Sequence, residues 1–104
     1  MSDINQLVEQ VRLATDYQIN KQILREKILI DLHVPFNGGL FLVTQELISF
    51  LTVMNEDILY LEDTYHNPIE VDRMGLLIMA REHYQKVMNR WHQEHNELKQ
   101  IRKI

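Results

Sequence analysis

The chain contains no cysteine. That excludes a disulfide framework, a thiolate zinc site and a cysteine nucleophile. No apolar run approaches membrane-spanning length. The first residues, MSDINQLVEQ, have neither the basic n-region nor the apolar h-region of a secretory signal. An intracellular, cytoplasmic protein without membrane contact is therefore expected. Lys and Arg are absent between residues 35 and 72, where seven carboxylates stand, giving a segment charge of −7. The flanking segments carry −1 over residues 1–34 and +4 over residues 73–104. An acidic middle repels phosphate backbones, so a nucleic acid is not expected to face it.

What is present is the balance of an ordinary globular protein, 45% apolar and 25% charged residues in 104, which suits a single domain over 1–104. The stretch Ile58–Arg73, ILYLEDTYHNPIEVDR, reads as strand, polar turn, strand and helix cap. Alternation places Ile58, Tyr60 and Glu62 on one face of a hairpin over 58–71, and Leu59 and Leu61 on the other. Asn67-Pro68 pins the exit from its loop, because proline holds φ near −65° and disfavours helix before it. Asp72 is suited to cap the helix that follows.

That helix, over 73–102, is about eight turns long. Leu77, Ala80, Tyr84, Val87, Trp91, Glu94, Leu98 and Ile101 recur at alternating steps of three and four, the heptad seam of a helix that packs against another helix. Tyr84, Val87, Trp91, Leu98 and Ile101 are accordingly the interface candidates. Upstream, Ile4, Leu7, Val8, Val11 and Ala14 form one stripe, and Ile23, Leu24, Ile28 and Ile30 restore an apolar face after a polar stretch at 16–22. A helix over 3–31, capped by Ser2 or Asp3, follows. Residues 28–34 also alternate as a strand would, and the two readings stay open as far as Pro35, which forces a change of course. Asn37-Gly38-Gly39 is a turn. Leu40–Val43 is a short buried strand, and Thr44 caps a helix over 45–54. The expected fold class is α+β, with two long helices, one short helix and a small antiparallel sheet of about three strands.

Candidate chemistry is sparse. His92 and His95 lie one turn apart on a helix and are the weak metal candidates, but two ligands leave a transition metal incomplete. His33 and His66 fall in connecting segments, and His83 has only Arg81 and Glu82 beside it. Glu56, Asp57, Glu62, Asp63, Glu70 and Asp72 are an acidic set from which a hard cation could draw ligands, without the spacing of a calcium loop. Gly38-Gly39 lacks the Lys-Ser/Thr of a phosphate loop. Trp91 and Tyr84 are base-stacking candidates whose place in the seam favours core packing. Arg90, Lys99, Arg102 and Lys103 complement the dipole at a helix end. No catalytic residue and no cofactor are expected.

FNGGLFLVTQELISFL (36–51) together with YLEDTYHNPIEVDR (60–73) resembles segments of small uncharacterised proteins encoded by tailed bacteriophages of marine bacteria. The shared motifs are a glycine turn, a helix cap and a hairpin, over about a third of the chain. The resemblance implies a phage-encoded assembly or accessory protein, in the host cytoplasm or the virion, and carries no catalytic group. The first expectation is a non-enzymatic interaction or assembly protein, a homo-oligomer through the seam or a binder of another protein. The alternatives are a nucleic-acid module using the basic C-terminal helix and a small metal-dependent enzyme.

Overall fold

Two 30-residue helices set the long dimension of the molecule. In the computed structural model, which describes residues 2–102 (side chains 3–100), the elements are α1 (Ser2–Asp31), β1 (His33–Phe36), β2 (Gly39–Leu42), α2 (Gln45–Val53), β3 (Ile58–Glu62), β4 (Pro68–Asp72) and α3 (Arg73–Arg102). The fold is α+β. Its strands form two separate antiparallel pairs, β1 with β2 and β3 with β4. The strand beyond the expected three is β1. Its pairing with β2, Val34 opposite Phe41 and Pro35 opposite Leu40, is not encoded within four residues that include a proline. A two-stranded ribbon has free edges on both sides, which is where proline is tolerated.

Residues 28–34 divide between the two readings. The helix runs to Asp31 and its final turn closes with the Leu32 N–H donating to the Ile28 carbonyl at 3.0 Å. The His33 Nδ1, protonated, donates to the Leu29 carbonyl at 2.9 Å. It thereby satisfies a carbonyl that the end of a helix leaves unpaired. β1 begins at the same histidine. Asn37 (φ 48°) and Gly38 (φ 85°) then make a two-residue hairpin turn with positive φ at both positions, the geometry that matches strand twist. α1 is continuous through the polar stretch at 16–22, and Ser2 and Asp3 lie within it rather than capping it.

Both other caps form. The Thr44 hydroxyl accepts from the Leu47 N–H at 3.0 Å, and the Asp72 carboxylate accepts from the Gly75 N–H at 3.2 Å. In β3, Leu59 is buried and Leu61 half-buried, while Ile58, Tyr60 and Glu62 face solvent. The hairpins and α2 enclose one core with the start of α3: Val34, Phe41, Val43, Leu51, Leu59, Val71, Leu76, Leu77 and Ala80. A second core joins α1 to the later turns of α3 through Leu24, Ile28, Leu32 and Val87. Tyr84 packs against both.

Asp63 ties the two hairpins together. It is a buried carboxylate that accepts from the backbone N–H groups of Leu40 (3.1 Å), Tyr65 (3.0 Å) and Asn67 (2.9 Å). The Thr64 N–H donates to the Leu40 carbonyl at 2.7 Å beside it. At Gly39 a Cβ would stand 2.6 Å from Ile69 Cγ1, so only glycine admits this approach of the hairpins without a shift. The N–H groups of Asn67 and Leu40, foremost, hold the Asp63 carboxyl below the usual range, against the opposite pull of burial.

A carboxyl depressed in the folded state contributes stability that is full above its unfolded value of about 3.9 and is lost as pH falls through the folded value. Asp63→Asn should therefore lower stability near neutrality. It should also flatten the loss of stability below about pH 4, since it removes one titrating group from the folded state. Urea unfolding of both proteins across that range checks this; parallel acid profiles would contradict it.

Candidate functional site

α1 and α3 run antiparallel, and their polar contacts fix how far they overlap. Asp31 meets Arg90 in an ion pair, and the Asp31 carbonyl accepts from His83. Further along, Lys27 pairs with Glu94 at 3.4 Å and Tyr17 OH lies 3.5 Å from His95 Nε2. With equal rise per residue on both helices, these pairs place the end of α3 at Arg102 opposite α1 between about Gln10 and Ile19. The first turns of α1 project past it. The extents of 69 × 23 × 18 Å and a radius of gyration of 19.8 Å record this elongation; a compact chain of this length would have a radius near 13 Å.

The heptad seam is thus occupied from within the chain. Val87 is buried against α1, and Tyr84, Trp91 and Leu98 are half-buried against the same cluster. The interface candidates Tyr84, Val87, Trp91 and Leu98 face the protein's own first helix, because an antiparallel partner for α3 is already present. The side chain of Ile101 lies outside the described residues, as do those of Arg102 and Lys103.

The uncovered apolar surface is on α1 instead. Ile4, Leu7, Val8, Val11, Ile19, Ile23 and Ile30 are each more than half exposed. Buried Tyr17, Leu24 and Ile28 mark the face toward α3. At about 100° per residue, Ile4, Val8, Ile19, Ile23 and Ile30 lie on roughly the opposite side of the helix. α1 is apolar on two faces and packs only one. Of the four residues that restore its stripe after residue 22, Leu24 and Ile28 point inward and Ile23 and Ile30 point out.

A groove of about 340 Å³ lies between the long helices, lined by Lys21 and Arg25 from α1 and Met88, Trp91, His92 and His95 from α3. It is mainly apolar, with cationic groups at its rim. His92 and His95 both border it, but His95 is engaged with Tyr17. Among the described residues no group of three or more His, Cys, Asp or Glu is placed to hold a metal ion.

The acidic set disperses into structural roles. Asp63 accepts backbone N–H groups, Asp72 caps α3, and Glu62 sits 3.2 Å from His66. Glu70 accepts from the Tyr60 hydroxyl at 3.3 Å. The carbonyls of Glu56 and Asp57 bond to Arg73, whose guanidinium also donates to the Leu51 carbonyl at 3.0 Å, tying the end of α2 to the start of α3. Arg90 is held by Asp31, leaving Lys99 without an ion pair at the basic end among the described residues.

Comparison with protein-family models, with curated proteins and with solved structures finds no match. Among the described residues no helix is long and apolar enough to cross a membrane.

Trp91 closes the α1–α3 interface at a half-buried position. Trp91→Ala should cost about 2 kcal/mol, less than the ~3–5 kcal/mol of a fully buried aromatic. Urea denaturation is the measurement, and a silent substitution would show that the later turns of α3 gain nothing from α1.

Proposed function

We propose that this protein is a non-enzymatic interaction or assembly protein that self-associates. The observation that supports this reading is the second apolar face of α1, where Ile4, Val8, Ile19, Ile23 and Ile30 are each more than half exposed, with exposed Leu7 and Val11 beside it. An exposed apolar surface of this extent marks an interaction site more often than a bare surface. The seam of α3 is not the face in question, since α1 covers it. A phage-encoded origin belongs to the same proposal and rests on the resemblance of 36–51 and 60–73. The small-enzyme alternative has less support: Asp63, Asp72, Glu62, Glu70, His33, His66, His83 and His95 are engaged in caps, ion pairs and hydrogen bonds, and among the described residues no group of three or more His, Cys, Asp or Glu is placed to hold a metal ion. Of the basic end of α3, the described side chains are those of Arg90, which pairs with Asp31, and Lys99, so the nucleic-acid alternative has less support among the described residues.

Light scattering across micromolar concentrations tests the reading. A mass above 12.5 kDa that falls toward that value on dilution is expected. Val8→Lys should bring the monomer in at higher concentration while the far-ultraviolet helical signal persists, because Val8 supports no core within the chain. A constant monomer mass would overturn self-association.

A further inference from the structure

We propose that the groove between α1 and α3 binds an amphipathic carboxylate, a molecule with one anionic head on an apolar chain of medium length. Met88 and the half-buried Trp91 supply the apolar wall from α3. Lys21 and Arg25 stand one turn apart on α1, near enough for both to reach the same carboxylate. Neither forms an ion pair within the chain among the described residues. No carboxylate is among the lining residues, although acids outnumber bases in the chain by 15 to 11. The acids of these same turns are engaged elsewhere: Glu26 accepts from Gln22 at 3.2 Å, and Glu94 pairs with Lys27 across the other side of the helix pair.

The physical case rests on two kinds of surface meeting in one place. An apolar chain laid on Trp91 and Met88 gains by leaving water. Its head then falls beside two cations that have no partner of their own, where charge-assisted hydrogen bonds form. The apolar walls lower the local dielectric and strengthen that attraction. A neutral amphiphile would leave both cations unpaired, and a cationic one would be repelled. Size selects a small molecule over a folded partner. The volume of about 340 Å³ is at the small end for ligand pockets, and the lining from Met88 to His95 spans about 10 Å along α3. At about 100° per residue, Lys21 and Arg25 lie beside the inner face of α1 marked by Tyr17, Leu24 and Ile28. The groove is therefore separate from the outer face through Val8, and the site does not depend on self-association.

Trp91 is the single tryptophan of the chain, so its fluorescence reports directly on this groove. Decanoate is the probe, kept below its micelle-forming concentration, and decyltrimethylammonium is the cation of the same chain length. Decanoate should shift the Trp91 emission to the blue along a saturating curve, and the cation should not. Lys21→Glu and Arg25→Glu should each weaken decanoate about tenfold, the scale of a lost hydrogen bond to a charged group. Arg25→Lys should keep most of the affinity, because the positive charge remains. Lys86→Glu makes the same change of charge outside the groove lining, and Val8→Lys alters the outer face of α1. Both should bind as the wild type does, with the far-ultraviolet helical signal confirming that every variant is folded. No saturable shift with decanoate, equal binding of the two amphiphiles, or a loss in Lys86→Glu or Val8→Lys equal to that in Lys21→Glu would overturn the site. Each of those results would leave self-association standing, just as a constant monomer mass would leave this titration standing.

Discussion

α3 is a wall shared by two cores, and the rest of the molecule depends on that sharing. Its first turns present Leu76, Leu77 and Ala80 to the hairpins and α2; its later turns present Val87, Trp91 and Leu98 to α1. Neither partner has enough apolar surface to fold alone. A two-stranded ribbon is marginal in water without a surface to pack on, and a lone amphipathic helix gains most of its stability from tertiary burial. Tyr84 belongs to both clusters, so its ring couples them, and loosening of one core is felt by the other.

Polar contacts then define geometry where apolar burial leaves it free. A heptad seam permits helices to slide by a turn at small cost. Asp31, held by His83 and Arg90, and Lys27, paired with Glu94, remove that freedom for α1 on α3. Between the hairpins Asp63 has the same office. Its three backbone donors come from β2 and from its own loop, so the carboxylate orders the loop and docks it in one arrangement. These groups account for the local clustering of charge that, by residue type alone, suggests a metal or cation centre.

The consequence for function lies in what this packing leaves bare. Once α1 and α3 are in register, α3 ends short of the first turns of α1, and the outer side of α1 is left exposed among the described residues. That outer side is an apolar face through Ile4, Val8, Ile19, Ile23 and Ile30, on a helix whose other side packs against α3.

How much of this is legible without coordinates follows the range of each interaction. The caps at Thr44 and Asp72, the alternation of Ile58–Glu62, the turn at Asn37-Gly38 and the heptads of α3 are set by neighbours within a few residues, so the sequence by itself determined them. β1 escaped because its stability comes from pairing with β2 and packing of Val34 in the core, while Pro35 argues locally against a strand. The inner face of α1 escaped for a related reason. Two stripes, one through Ile4, Val8 and Ile23, the other through Tyr17, Leu24 and Ile28, are equally apolar by periodicity. Only the position of α3 decides which is core, because burial depends on what stands opposite and not on the side chain. Asp63 is one of seven acids in its segment by composition; its place between two hairpins, where three N–H groups converge on it, is a property of the tertiary structure alone.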